Sequence, residues 1–258
     1  MKKTLIALAV AATAAVSGSA MAWTTGGSGN AVTFKGELTP ESKTSPWEVE
    51  IGNSEYDFQG KIQQGNKTAA INVENNIPVL GIRTVSPDGF NGASGISPQI
   101  SYGDAIDTSN FVNGVVPVHL KVKDQESSEE IGTLDTSMSV VSRVSWKNDA
   151  EQHFYDVSSR EVGTVFYGGV GTSKEAVDLS GNADDLFPDV TKNFNNFGLD
   201  NSGGAWGTAY VTKANTLYSA YYASAIKSGS QINLTLNNPA GSSSIKWSAQ
   251  LPVTVTYR

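Results

Sequence analysis

The chain has 258 residues, of which 39% are hydrophobic and 17% charged, with 26 Gly, 9 Pro and no Cys. That apolar content excludes a disordered chain, the low Pro content and the lack of a Gly-X-Y period exclude collagen, and the length suits one large domain or two small ones. Eighteen Lys and Arg against 25 Asp and Glu leave a net charge of −7, which speaks against nucleic acid as a partner, and two His with no thiol exclude Cys-based zinc sites, iron–sulfur clusters and cysteine nucleophiles.

Residues 1–22 read as a cleaved secretory signal. Lys2 and Lys3 form a positive start, Leu5 to Val16 is an uncharged apolar run, and Ala20-Met21-Ala22 places small residues where a signal peptidase cuts. The run is shorter than the roughly 18 to 20 apolar residues that span a bilayer. Loss of Lys2 and Lys3 leaves 16 basic against 25 acidic residues, a net charge of −9 on the exported chain.

After the signal, Trp23 to Asn30 is a flexible lead of Thr, Gly and Ser, followed by a short strand pattern in which Val32, Phe34, Gly36 and Leu38 share one parity. A single strand on a leash gains nothing unless it joins a sheet, in its own domain or in another molecule. Period-2 alternation then recurs down the chain. Trp47, Val49 and Ile51 alternate with acidic residues, and Ala69, Ile71 and Val73 follow the same rule. Val116, Val118, Leu120 and Val122, then Leu134, Met138, Val140 and Val144, lie either side of the polar turn Asp124 to Glu130, which predicts a hairpin.

The alternation fades between Trp146 and Trp206. There, Phe187, Val190, Phe194 and Phe197 recur at helical spacing after Asp185, with Pro188 near the first turn and Gly198 beyond the last, which predicts a short amphipathic helix within an insertion at about 146–206. The glycine-rich stretch from Gly168 to Lys174 lacks the Gly-Lys-Ser/Thr order of a phosphate loop and is expected to be a turn. Leu217 to Lys227, rich in Tyr, favours a strand, and Ile232, Leu234 and Leu236 alternate up to a dense turn cluster at 237–241. From Ile245 to Tyr257 every odd position is apolar, which predicts a final strand about 43 Å long at ~3.3 Å per residue, with an edge, bulge or break near Pro252. The pattern is an all-β chain of antiparallel strands, a sandwich rather than an α/β sheet. Catalytic constellations are missing: there is no G-x-S-x-G, no H-E-x-x-H and no calcium-loop pattern. An enzyme is not expected, and no cofactor or metal is called for.

The signal, the Trp23-Thr24-Thr25-Gly26 start, the Val-x-Phe-x-Gly-x-Leu-Thr segment, the Phe166-Tyr167-Gly168-Gly169 block and the ending from Trp247 to Tyr257 resemble the FaeG and ClpG group of enterobacterial fimbrial major subunits. The resemblance implies an immunoglobulin-like sandwich lacking its last strand, which a periplasmic chaperone fills during export and the N-terminal extension of the next subunit fills at an outer-membrane usher. Residues 23–40 correspond to that donor extension, with Val32, Phe34, Gly36 and Leu38 as its inward residues, and 41–258 to the pilin domain. Trp247, Ala249, Leu251, Val253, Val255 and Tyr257 correspond to one edge of the acceptor groove. Gly36 would fit where the groove is too shallow for a side chain.

The resemblance further implies a fimbria on the cell surface, built of copies of this chain and binding a host carbohydrate or glycoprotein receptor. A sugar site needs exposed aromatic faces and nearby polar groups on a rigid scaffold, and the segment 146–175 offers Lys147, His153, Phe154, Tyr155 and Lys174, with Trp146 sharing the parity of the core strand. The rival expectations are a purely structural pilin and a periplasmic enzyme or solute-binding protein.

Overall fold

A computed structural model describes residues 34–37, 45–199 and 204–258. The chain divides into two units, Met1–Lys43 and Thr44–Arg258. The leader at 1–22, together with Val32 and Leu38, lies outside the described residues. Among the described residues no helix is long and apolar enough to cross a membrane.

The second unit is built almost wholly of strands. In chain order they are β1 (Trp47–Ile51), β2 (Thr68–Asn72), β3 (Ile77–Thr84), β4 (Phe90–Asn91), β5 (Pro98–Ser101), β6 (Val115–Asp124), β7 (Glu130–Lys147) and β8 (Gln152–Val157), then a one-turn helix α1 (Ala183–Leu186), and then β9 (Trp206–Gly207), β10 (Leu217–Ile226), β11 (Gln231–Leu236), β12 (Trp247–Ala249) and β13 (Thr254–Tyr257), with a 3-10 turn at Thr108–Asn110 between β5 and β6.

β7, with 18 residues, is the spine. Leu134 sits between Leu120 of β6 and Leu234 of β11, and Arg143 sits between Tyr221 of β10 and Asp156 of β8. Ser139 pairs with both Val115 and Ala225, so β6 and β10 lie on opposite edges. β10 and β11 therefore follow one another along one edge of β7, while β6 and β8 share the other. β3 and β2 repeat the arrangement outside β10 and β11, β1 closes the β3 edge, and β12 closes the β6 edge. β13 pairs apart, with β5. The result is an all-β, immunoglobulin-like sandwich, and the hairpin expected over 116–144 is β6 and β7.

Side-chain parity decides which face each residue serves. Val140 and Val144 of β7 and Tyr218, Ala220 and Tyr222 of β10 enter the main core with Leu80, Ile82, Val116, Val118, Ile100 and Phe166. The opposite parity, Val141, Tyr221, Ala223 and Ala225, packs under α1 and the chain that follows it. β10, the strand expected from its Tyr content, is thus buried on both faces, which is why its sequence shows no alternation.

Two expectations need correction. The helix after Asp185 is one turn, Ala183–Leu186, capped by the Asn182 side chain, which accepts from the Asp184 N–H. It ends because Pro188 disfavours helical backbone at the residue before it, and Phe187 is accordingly extended, with φ −140° and ψ 112°. Phe187 and Val190 are buried nonetheless, and the Phe194 ring meets Tyr221 edge-on at 4.8 Å, so the apolar stripe covers the sheet without forming a helix. The long final strand is two strands, with the break falling near Pro252, where an edge, bulge or break was expected. β12 belongs to the β6 edge and β13 to β5, and the chain crosses from one to the other through residues 250–253, around Pro252.

The glycine-rich stretch is a turn, as expected, and its glycine is there for close approach. Gly168 has φ +83°, and a Cβ there would lie 2.1 Å from the Ile100 carbonyl oxygen. Beside it the Ile100 N–H donates to the Tyr167 carbonyl at 2.8 Å, and the Tyr222 hydroxyl donates to the Gly169 carbonyl at 3.0 Å while sharing a 2.8 Å bond with Tyr102. Burial pushes the Tyr102 phenol up to about 12, so this hydroxyl chain stays neutral across the physiological range. Gly168→Ala is expected to destabilise the chain by about 2 kcal/mol or more through the positive φ and the backbone clash together. Thermal unfolding followed by circular dichroism checks it, and an unchanged Tm would show that the turn yields freely.

Candidate functional site

The main feature of the second unit is an open groove of about 1540 Å³ between two stretches of extended chain. One wall is 51–64, leaving the end of β1. The other is 241–253, which contains β12. Its floor is apolar: Ile71, Ile77, Leu134, Ile226, Ile232 and Leu234 form a second core cluster, with Leu120 beside it.

Both walls have the strand pattern but incomplete pairing. On the second wall Ile245, Trp247, Ala249, Leu251 and Val253 are half-buried while the residues between them are exposed. On the first, Tyr56, Phe58 and Ile62 are half-buried and alternate with exposed Asp57, Gln59 and Lys61. No backbone hydrogen bond joins 53–62 or 250–253 to another described residue, and β12 pairs on one side alone among the described residues. The inward face of β1 loses cover towards the groove: Trp47 is 5% exposed, Val49 39% and Ile51 56%. A filled sandwich would bury all three.

Of the six groove-edge residues expected from the sequence, Trp247, Ala249, Leu251 and Val253 line the groove. Val255 and Tyr257 lie beyond it in β13, where Val255 packs on the main core and Tyr257 is exposed, because the chain changes sheets at Pro252. The opposite wall was missed, although Tyr56, Phe58, Gly60 and Ile62 follow the same period-2 rule as the strands that were read. In the first unit, Phe34 is 91% exposed and Gly36 is exposed with open space around it.

The five residues proposed for sugar contact do not form one cluster. β7 and β8 pair Lys147 with Gln152, Trp146 with His153, Ser145 with Phe154 and Val144 with Tyr155. Alternation therefore sends Lys147 and Phe154 to one face of the sheet and His153 and Tyr155 to the other. On the first face the Lys147 ammonium lies 4.9 Å over the Phe197 ring, and Phe154 packs 5.6 Å from Phe194 with the Arg143 guanidinium at 5.9 Å. Arg143 itself holds buried Asp156 at 2.6 Å. On the other face His153 stacks on half-buried Trp146 at 4.5 Å, and Tyr155 is half-buried, donating to the Thr208 carbonyl at 3.1 Å. Burial pushes the Tyr155 phenol up. Lys174 is exposed on a separate turn, beside Glu175.

Tyr155 thus has a packing role. Tyr155→Phe is expected to lower stability by about 1 kcal/mol, the usual loss when a carbonyl loses its donor, with no change in fold by circular dichroism. A variant as stable as the parent would leave the hydroxyl free for a ligand.

Among the described residues, no group of three or more His, Cys, Asp or Glu is placed to hold a metal ion. A groove with an apolar floor and two unpaired backbones is suited to binding an extended chain. The family model for fimbrial major and minor subunits of the K88 type matches residues 1–258. The K88 fimbrial proteins AB and AD of Escherichia coli are 29% and 28% identical to this chain, and the F41 fimbrial protein of the same organism is 28% identical, each over the whole of both chains. With its family matched from end to end and its relatives aligned in full, the chain belongs to the K88-type fimbrial subunits, structural components of surface fimbriae and not enzymes.

Proposed function

We propose that these subunits polymerise by strand exchange, the segment around 32–38 of one copy filling the groove of the next. The observation that carries this reading is the pair of facing, unpaired backbones, 53–62 and 250–253, above an apolar floor. A strand inserted between them would satisfy both rows of donors and acceptors and supply the missing inward side chains. The alternation of Val32, Phe34, Gly36 and Leu38 suits that place. An open groove of this kind is hazardous in transit, so a periplasmic chaperone would cover it during export and an outer-membrane usher would exchange the cover for the next subunit.

The mature chain made without a chaperone is expected to aggregate, and moving residues 23–40 to its C-terminus through a flexible linker is expected to give a soluble monomer. Phe34→Ala should cost about 3 kcal/mol per junction, as large-to-small core changes do, and Thr33→Ala should cost little because it faces away. Heat dissociation of fimbriae measures both. A stable, monodisperse mature chain without any donor or chaperone would refute strand exchange.

We also propose that the subunit itself carries adhesion to a host carbohydrate or glycoprotein, displayed in many copies along the polymer so that weak single contacts sum to avidity. Of the residues considered, Lys147 and Phe154 share a face with exposed Gln152 and are the pair that one ligand could touch together. Fimbriae carrying Lys147→Ala, with normal assembly, are expected to bind glycan or host cells at least about tenfold more weakly, while Lys174→Ala leaves binding unchanged. Full binding by the Lys147 variant would remove this face and place the site elsewhere, with the aromatic residues of 206–222 next to be tested.

A further inference from the structure

Resting on the strand-exchange reading, we infer that charges on the solvent side of the groove select the inserted strand and its direction: Lys35 lies against Asp57, and Glu37 lies at the end marked by Lys61 and Lys246. The two walls are in step. The Gly65 N–H donates to the Ala240 carbonyl at 2.9 Å and Phe58 stacks on Trp247, so each wall covers seven residues between these contacts and the two run antiparallel. Asp57 is therefore level with Ser248, and Gln59 with Lys246. Glu55, Asp57 and Lys61 are all exposed, and none has an ion-pair or hydrogen-bond partner among the described residues. Lys246 holds Glu126 at 3.3 Å, with both side chains largely in solvent. One end of the rim is thus acidic, continuing from exposed Glu50 of β1, and the other carries the two lysines.

In the donor segment Thr33, Lys35, Glu37 and Thr39 lie between the inward positions and face solvent once the strand is in place. Basic Lys35 comes before acidic Glu37, whereas on the first wall acidic Glu55 and Asp57 come before basic Lys61. Both sets of opposite charges meet at once only if the strand runs parallel to that wall, and so antiparallel to the second. Lys35 then faces Asp57 with Glu55 one step behind, and Glu37 falls beside Lys246 with Lys61 one step on. A reversed strand that set Lys35 against Asp57 would carry Glu37 to Glu55. Adjacent strands lie about 4.8 Å apart, inside the ~8 Å screening length of physiological salt, and facing charges favour or oppose the pairing according to sign. The apolar floor accepts any alternating strand of suitable bulk, and these charges tell this chain's donor from one of another charge order.

The test uses full-length chains assembled into fimbriae and heated to dissociate them, since each copy carries both donor and groove. In about 0.01 M salt, where charges act over roughly 30 Å, Lys35→Glu and Asp57→Lys fimbriae are each expected to dissociate about fivefold faster than the parent. The combined variant restores opposite charges and is expected to fall within about twofold of the parent. In about 1 M salt, which screens beyond roughly 3 Å, the fivefold gap is expected to shrink below about twofold. Where a single reversal yields no fimbriae at all, the combined variant decides, by forming them or not. Parental rates from both single variants, a combined variant no slower than the singles, or a gap indifferent to salt would overturn the assignment. A chain whose ladders form normally after deletion of residues 23–40 would instead overturn strand exchange itself.

Discussion

An extended backbone without a hydrogen-bond partner, lying beside apolar side chains without cover, is a combination that water can satisfy only in part. The peptide groups of 53–62 and 250–253 are content in solvent, but the apolar side chains of Val49 and Ile51, exposed towards the groove, are not. Anything that covers the apolar floor must be thin enough to lie between the walls and must carry its own donors and acceptors, or it would leave the walls' polar groups buried and unpaired. A β-strand meets both demands at once. The stability of such a subunit is inseparable from what fills it, and that property suits a building block of a fibre better than a freely diffusing protein.

The remainder of the sandwich holds the groove open by being firmly built elsewhere. β7 carries neighbours along its whole length, so one strand belongs to both the groove floor and the main core. The far face is sealed by residues 183–197, whose Phe187 ring presses so close to Gly81 that a Cβ there would lie 2.7 Å from it. On the near side the buried hydroxyls of Tyr102, Tyr222 and Ser224 satisfy one another, and the Gln99 amide donates to the Thr164 carbonyl while its oxygen accepts from Gly163. These bonds stitch the irregular segment 158–171 to β5 in a chain with no disulfide. A core bonded this extensively elsewhere is what lets the groove side remain incomplete without collapse.

The same two-residue period that makes the groove recognisable works against grouping surface residues by their nearness in sequence. Lys147, His153, Phe154 and Tyr155 lie close together along the chain, yet β7 and β8 deal them to opposite faces. Trp146 then takes His153 as its lid, and Phe197, 50 residues further along, becomes the neighbour of Lys147. On the Lys147 face the partners come from residues distant in sequence, Phe194 and Phe197 of the chain after α1.

What the sequence determined by itself was the local grammar. Alternation marked β1, β2, β6, β7 and β11 and the half-buried face from Ile245 to Val253, because a strand with one face in the core and one in water must show that period. It also carried the pattern of Tyr56, Phe58 and Ile62, which has the same cause. What it could not decide were matters set by distant partners. β10 showed no period because both faces are covered, and only its Tyr content and the turn after it marked it as a strand. Phe187, Val190 and Phe194 kept helical spacing, but Pro188 and the sheet beneath them imposed a turn. The final alternating run was divided between β6 and β5 because those two strands, more than a hundred residues earlier, end in different layers. The groove belongs to this second class: period 2 says that a strand has an apolar face, and only the packing of every other strand says whether that face has found its cover.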